Sequence, residues 1–338
     1  MIKLTGKEKI LIVRPDRLGD LVLSLPVAAR LKAAHPGLEI HALVSRYNAP
    51  VLQFAGDIDR ALYATDSDGR PLSIGELAHA MERESYYAAV FLKPGWRTAA
   101  AAFLADIPLR IGTSRRPYSL LFNLRERVPR RNSGLHEVDL NLSMLKPLGL
   151  EVIAGTLMPE LNGPVAKARP NVLNIDGDYV VIHPGSGGSA PNWPAKSYRK
   201  LIELISRKRN VVITGTGSEQ GLPTGGNIYN MINKTDFEQL MNLLAKAKLF
   251  ISGSTGPLHL TAALGVPVLA LIPAHQSLGP ARWGPRGKQA FALSPPKQNG
   301  HICRIMDEGS CPCMENLGVD IVYRRAMEIL SAPEKISE

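Results

Sequence analysis

The sequence has 338 residues, of which 45% are hydrophobic and 21% charged, and its formal net charge is +10. This length suggests about two domains, and the composition excludes the fibrous, disordered and disulfide-stapled classes. The positive charge leaves nucleic acid, an anionic membrane surface and phosphorylated substrates as partners. Nucleic acid is the weakest of the three, because aromatic residues make up only 6% and no recognition motif is present.

Predicted strands and helices alternate through the first half of the chain. Lys9–Val13 is an apolar run typical of a buried parallel strand. An amphipathic helix is predicted from Asp20 to about Ala34, where a Pro-Gly pair ends it. Three more strands are predicted, at Glu39–Val44, Ala88–Leu92 and Leu109–Gly112. Short strands separated by helices predict a parallel α/β sheet.

The second half repeats this alternation. Strands are predicted at Tyr179–His183, Asn210–Thr214, Leu249–Ser252 and Val268–Ile272, and helices at Ala195–Ser206, Phe237–Ala247, Pro257–Leu264 and Val319–Leu330. A linker is predicted between Leu150 and Asp178, which lacks periodicity and contains three prolines. We therefore expect two Rossmann-like domains, residues 1–165 and 166–338, facing each other across a cleft. The final helix is expected to pack back on the first domain.

The loop after the first strand carries a candidate catalytic carboxylate. In Arg14–Asp20, Gly19 permits a tight turn and Asp20 lies where the helix begins. Two interpretations stay open for Asp20: an N-cap that accepts hydrogen bonds from backbone N–H groups, and a general base at the mouth of the cleft. The loop has one glycine where a dinucleotide fingerprint has three, which argues against an NAD enzyme.

Three loops of the second half place glycines and polar side chains directly after strands. In residues 183–189, backbone N–H groups and Ser186 suit an anion, although an ordinary flexible loop fits as well. In residues 252–259, Ser254 or Thr255 caps a helix whose N-terminus favours a phosphate. In residues 214–219, Glu219 is of the type that hydrogen-bonds ribose hydroxyls.

Two further clusters stand out. Residues 110–131 hold seven arginines against the single acidic residue Glu126. This segment suits a phosphorylated acceptor near an anionic leaflet, or is a solvated basic loop. The three cysteines lie at 303, 311 and 313. With His301 they would supply four zinc ligands, but the spacing lacks a C-x₂-C pair, so structural thiols in a reduced, cytoplasmic chain are favoured.

Taken in order, these motifs resemble glycosyltransferase family 9, the lipopolysaccharide heptosyltransferases. The resemblance rests on Arg17-Leu18-Gly19-Asp20 with Pro26, His183-Pro184-Gly185 with Trp193-Pro194, Gly215–Glu219, Ser254–His259 and Cys311–Met314. It implies a GT-B fold and an inverting, metal-independent transfer of heptose from ADP-heptose to a sugar of the lipopolysaccharide inner core. No cofactor beyond the nucleotide-sugar donor is implied.

The resemblance also assigns roles to residues. Asp20 takes the position of the catalytic base. The donor-binding candidates are Ser186, Gly187, Lys196, Glu219, Ser254, Thr255, Gly256 and His259. The acceptor-binding candidates are Arg17, Arg115, Arg116 and His136. Where the family often has a phosphate-holding lysine, this chain has Pro191, and Lys196 is the nearest substitute.

Two alternatives stay open beside this function. One is a GT-B transferase that uses another sugar nucleotide or acceptor. The other is a non-catalytic relative that binds nucleotide sugars or glycans, which Pro191 motivates. In each case we expect a cytoplasmic protein without a membrane-spanning segment, because no apolar run reaches 18 residues. The transferase is expected to be peripheral on the inner leaflet of the inner membrane.

Overall fold

The computed structural model describes residues 4–130, 133–151, 153–162, 173, 175–188, 190–217, 221–275, 277–296 and 311–332. The chain divides into two compact units, Met1–Gly163 and Pro164–Glu338. The division lies two residues from the boundary predicted at residue 165.

In the described part of the first unit, six parallel strands form one sheet. They are β1 (Lys9–Val13), β2 (Glu39–Val44), β3 (Arg60–Tyr63), β4 (Ala88–Phe91), β5 (Leu109–Thr113) and β6 (Leu124–Glu126). Their order is β3-β2-β1-β4-β5-β6. Because the order reverses between β1 and β4, the carboxyl ends of these two strands border the crevice where ligands bind in such sheets.

Helices connect these strands. They are α1 (Leu18–Val22), α2 (Leu25–Ala34), α3 (Ile74–Glu82), α4 (Trp96–Leu104) and α5 (Glu137–Leu142), with 3₁₀ helices at Ala49–Phe54, Pro117–Leu121 and Ser143–Leu148. The apolar faces of α3 and α4 bury Leu77 and Ala102 against Leu11 and Phe91 of the sheet. This packing holds the carboxyl ends of β1 and β4 in place. The polar residues of the candidate site lie at these ends.

The single helix predicted from Asp20 to Ala34 is wrong, because α1 and α2 are separate. The hydroxyl of Ser24 donates to the Asp20 carbonyl at 2.7 Å, which competes with the helical ladder. Pro26 has no amide hydrogen to donate to Val22, so the α1 ladder cannot continue through it. The break leaves α1 as a short helix that carries Asp20.

The described residues of the second unit also form a sheet of six parallel strands. They are β7 (Tyr179–His183), β8 (Asn210–Ile213), β9 (Ile228–Asn230), β10 (Leu249–Ser252), β11 (Val268–Leu271) and β12 (Ala290–Leu293), in the order β12-β11-β10-β7-β8-β9. The reversal lies between β7 and β10, where His183 is in register with Ser252. Two sheets with this strand order confirm the predicted α/β class of paired Rossmann-like units.

The helices of the second unit include its C-terminal segment. They are α6 (Ala195–Ser206), α7 (Phe237–Ala245), α8 (Gly256–Ala263), α9 (Pro280–Trp283), α10 (Pro312–Glu315) and α11 (Val319–Ser331). α11 packs on α6 and adds Val322 and Ala326 to the core of the second unit. The Trp193 indole N–H donates to the Leu317 carbonyl at 2.8 Å. Packing of α11 on the first domain stays a prediction.

Candidate functional site

A buried arginine organises the carboxyl end of the first sheet. Arg14 directly follows β1 and is 2% exposed. Its Nη1 donates to the Leu92 carbonyl, just beyond β4, at 2.9 Å. Its Nη2 donates to Asp20 Oδ1 at 2.5 Å, and its Nε lies 3.1 Å from Asp16 Oδ1. Arg14 therefore ties together β1, β4 and the loop that leads into α1.

Asp20 is not the N-cap of α1, which corrects one of the two interpretations. The cap position is Arg17, without a side-chain hydrogen bond, and Asp20 lies in the first turn. The Asp20 carboxylate instead accepts from Arg14. Burial raises the pKa of Asp20; Arg14 opposes this rise and the Asp16 carboxylate adds to it. A carboxylate with a raised pKa, held ionised by a guanidinium, is suited to proton abstraction.

Two more residues join this group: Glu137, which was not among the candidates, and Arg130, which was noted only as part of the basic segment 110–131. Glu137 begins α5 and is 1% exposed, with Oε1 3.4 Å from Arg14 Nη2. Arg130 Nη1 donates to the same oxygen, and Arg130 Nη2 donates to the Leu92 carbonyl at 2.9 Å. We call Arg14, Asp16, Asp20, Arg130 and Glu137 the arginine–carboxylate cluster.

The carboxyl end of the second sheet carries neutral polar groups instead. His183 Nδ1 lies 3.0 Å from the Thr214 hydroxyl, and the Ser252 hydroxyl lies 3.3 Å from that of Thr255. Burial lowers the pKa of His183 to about 4, so its ring is neutral at pH 7. We call His183, Thr214, Ser252 and Thr255 the hydroxyl–histidine cluster. It lies beside the N-terminus of α8.

The predicted capping of α8 is confirmed at Thr255. Its hydroxyl accepts from the Leu258 amide at 3.2 Å, and Gly256 is the first helical residue. His259 lies one turn further and is buried, while Ser254 is half-buried just before the cap. The N-terminus of α8 thus brings together four of the predicted donor-binding residues, and the positive end of the helix dipole there favours an anion.

The other donor-side candidates belong to other parts of the second unit. Ser186 donates to the Ala190 carbonyl at 3.0 Å, which closes the glycine loop on itself, and Gly187 adopts a φ of +54° in that loop. Lys196 is 74% exposed, with Nζ 3.9 Å from Glu315. Glu219 lies outside the described residues.

The acceptor-side candidates divide between a cavity and a helix cap. A cavity of about 450 Å³ is lined by Phe91, Pro94, Thr113, Arg115, Arg116, Val128, Arg130 and Met144. It combines the two predicted arginines with Arg130 of the cluster, so it suits an anionic ligand. His136 is buried and caps α5, accepting from the Val138 amide at 3.2 Å. Arg17 is exposed beside α1.

The structure also bears on the metal and membrane expectations. Cys311 and Cys313 are buried in the core of the second unit, with their sulfur atoms 3.2 Å apart, while His301 and Cys303 lie outside the described residues. Within the described ranges, no cluster of three or more His, Cys, Asp or Glu side chains is arranged to hold a metal ion. No helix among the described residues has the length and apolar character needed to span a membrane.

Comparisons with known proteins agree with this architecture. The family model of glycosyltransferase family 9 (heptosyltransferase) matches residues 74–308. A presumed glycosyltransferase of Haemophilus influenzae is 27% identical over 82% of this chain and 86% of its own. Lipopolysaccharide heptosyltransferase 2 of Salmonella typhimurium is 26% identical over 78% of this chain and 82% of its own. The solved structure of the Escherichia coli ADP-heptose lipopolysaccharide heptosyltransferase II superimposes with a TM-score of 0.74 at 20% identity, covering 95% and 98% of the two chains.

Proposed function

The chain belongs to glycosyltransferase family 9, the heptosyltransferase family, and on this premise we propose that it transfers heptose from ADP-heptose to a sugar of the lipopolysaccharide inner core. The transfer inverts the anomeric configuration, and Asp20 is the general base. The observation that carries this proposal is the Asp20 carboxylate, which is mostly buried, has a raised pKa and is held by Arg14.

The chemistry of inversion matches the environment of Asp20. The acceptor hydroxyl attacks the anomeric carbon of the donor, the bond to the diphosphate oxygen breaks, and the hydroxyl proton passes to the base. A base works best when its pKa approaches the working pH, and such help contributes roughly 10²- to 10⁴-fold in rate. Burial moves the pKa of Asp20 in that direction, while Arg14 keeps an ionised fraction available.

The donor is assigned to the second unit. The leaving diphosphate gains negative charge, and the N-terminus of α8 offers the positive end of a helix dipole with the hydroxyls of Ser254 and Thr255 close by. ADP-heptose as the donor is supported by the name of the Escherichia coli relative. Ser186, Gly187, Lys196 and Glu219 are proposed as further donor contacts.

The acceptor is assigned to the first unit. Its phosphates and acidic sugars complement the arginines of the 450 Å³ cavity, Arg115, Arg116 and Arg130. Arg17 and His136 are proposed as further acceptor-side residues. This cavity and Asp20 belong to the same edge of the first sheet, since Arg130 and Arg14 both donate to the Leu92 carbonyl.

An exposed apolar face of α4 supports the proposal that the protein acts at an anionic membrane. Trp96, Phe103 and Leu104 are exposed on this helix, and Leu120 of the adjacent 3₁₀ helix is 79% exposed. The Arg110 guanidinium lies 5.2 Å from the centre of the Phe103 ring. Apolar side chains of this kind enter the bilayer interface, and each nearby basic residue adds about 1 kcal/mol at an anionic surface. We place the protein at the inner leaflet on this basis.

The first experiment measures ADP release from ADP-heptose with truncated lipopolysaccharide as the acceptor. Asp20→Asn is expected to lower turnover roughly a hundredfold or more and to leave ADP binding intact. Asp59→Asn is the matched control: this carboxylate belongs to the same unit but accepts from the Ile40 amide and Lys32. Full turnover in Asp20→Asn would show that Asp20 is not the base.

The same assay separates the alternative functions. Turnover only with another sugar nucleotide would retain the transferase and replace the donor. ADP binding without turnover on any donor would instead indicate a non-catalytic relative. Sedimentation with phosphatidylglycerol vesicles, but not with phosphatidylcholine vesicles, would support the membrane assignment, and Trp96→Ser with Leu120→Ser is expected to weaken it.

A further inference from the structure

Glu137 and Asp20 share one nitrogen of Arg14. Nη2 donates to Asp20 Oδ1 at 2.5 Å and lies 3.4 Å from Glu137 Oε1. The residues are far apart in sequence, since Glu137 begins α5 and Asp20 belongs to α1. The charge of this guanidinium is therefore divided between the proposed base and a second carboxylate.

Hydrogen bonds hold Glu137 in this place. Arg130 Nη1 donates to the same Oε1 that faces Arg14. Arg130 Nη2 donates to the Asn141 side-chain oxygen at 3.2 Å, and Asn141 Nδ2 donates to the Leu23 carbonyl at 3.2 Å. The two arginines also share the Leu92 carbonyl as an acceptor. Two fixed cations thus flank Glu137, which is what a buried carboxylate needs.

We infer that Glu137 is a positioning residue that sets the proton affinity of Asp20 by taking up part of the charge of Arg14. Its catalytic meaning rests on the proposed function, while the effect on Asp20 is a property of the free protein. Without the negative charge of Glu137, Arg14 would act on Asp20 more fully. The ionised form of Asp20 would then be favoured, and Asp20 would be a weaker base.

The other charged groups around Asp20 do not change this sign. The cluster is extended by Lys93, whose Nζ lies 3.7 Å from Asp16 Oδ2. Three carboxylates therefore face three cations: Asp16, Asp20 and Glu137 against Arg14, Arg130 and Lys93. Loss of the Glu137 charge leaves this group net positive, which opposes protonation of Asp20. Burial raises the pKa of Asp20 most, and the charge of Glu137 adds to the rise.

The direct test follows the ionisation of Asp20 without any substrate. The protein is labelled with ¹³C at aspartate carboxyl carbons, and the Asp20 resonance is assigned by its absence in Asp20→Asn. In Glu137→Gln this resonance is expected to titrate at lower pH than in the wild type. Glu84→Gln is the matched control, because Glu84 also bridges two cations, Lys9 and Arg60. It is expected to leave the Asp20 titration unchanged.

The kinetic test uses the pH profile of kcat/KM, whose acid limb reports the essential base of the free enzyme. Glu137→Gln is expected to move this limb to lower pH and to lower the plateau about three- to tenfold, less than the loss of the whole base. Glu137→Asp withdraws the carboxylate by one methylene. It is expected to move the acid limb in the same direction, by a smaller amount than Glu137→Gln does. This variant therefore tests the inference if Glu137→Gln does not fold.

Three outcomes separate the two ideas. A shift of the Asp20 titration in Glu137→Gln supports the inference. An unchanged titration in folded Glu137→Gln or Glu137→Asp overturns it, even if Asp20→Asn abolishes turnover. Retained turnover in Asp20→Asn overturns the proposed base and removes the catalytic meaning of Glu137, whatever the titration shows.

Discussion

The two units have the same strand order and the same reversal point, yet the polar groups at their carboxyl ends differ in kind. The arginine–carboxylate cluster of the first unit is charged. The hydroxyl–histidine cluster of the second is neutral, with a histidine whose pKa is about 4. A charged cluster can take up and release a proton. A neutral cluster beside a helix N-terminus leaves the positive potential of that helix available to a bound anion. Under the proposed function, the same scaffold would therefore carry the base in one unit and bind the leaving diphosphate in the other.

The largest expected effect is a loss of stability when Arg14, the centre of the arginine–carboxylate cluster, is replaced. In Arg14→Met, Asp16, Asp20 and Glu137 lose the cation they share, and removing one side of a buried ion pair costs about 3–5 kcal/mol. We expect the free energy of unfolding, measured by urea titration, to fall by this amount. Arg60→Met is the control, because Arg60 is 62% exposed in its pair with Glu84 and exposed pairs contribute only about 0–1 kcal/mol. Equal losses in the two variants would contradict the assigned difference.

The hydroxyl–histidine cluster is expected to make the free energy of unfolding depend on pH. The folded protein keeps His183 neutral down to about pH 4, whereas the unfolded chain protonates it below its ordinary pKa of 6.5. Unfolding therefore takes up a proton in this range. The free energy of unfolding should fall as the pH drops from 6.5 to about 4, by about 3 kcal/mol from this group. Urea titrations across the range should show a smaller fall for His183→Asn. A fall of the same size in that variant would exclude His183 as its source.

The smallest expected effect separates capping from ligand binding. Thr255→Val removes the side-chain acceptor for the Leu258 amide and is expected to cost about 1 kcal/mol of stability. Because the cap lies at the proposed diphosphate site, ADP affinity measured by calorimetry should fall as well. Ser73→Ala is the control, because the Ser73 hydroxyl accepts from the Glu76 amide at the start of α3. This variant should lose about as much stability as Thr255→Val and keep its ADP affinity. If both variants bind ADP like the wild type, the donor lies elsewhere.

Much of the fold could be predicted because its central elements carry a clear local signal. Glu39–Val44 and Ala195–Ser206 have the predicted bounds, since each is set off by turn residues and keeps one periodicity. The edge strands β3, β6, β9 and β12 escaped prediction. Their residues are half-buried or exposed, so they lack the continuous apolar run by which a buried parallel strand is identified.

The candidate site also contains residues that the sequence could predict and residues that it could not. Thr255 could be predicted because a cap and its helix are neighbours in sequence. Glu137 could not, because it lies 123 residues from Arg14 and an acidic residue at a helix start is usually explained by the helix dipole. A weak signal existed, since His136 was already a candidate and Glu137 follows it. Only the fold shows that this carboxylate turns inward to Arg14.

The packing of α11 on α6 has a consequence for synthesis on the ribosome. Residues between Cys311 and Ala326 fill the core of the second unit, alongside strands that begin at Tyr179. A nascent chain grows at about 5–20 residues per second, and domains fold in the order in which they emerge. The first unit holds its own core within Met1–Gly163 and can fold while translation continues. The second must wait, with the apolar side of β7 and α6 uncovered, until α11 has emerged. During that interval the apolar surface that α11 later covers is exposed.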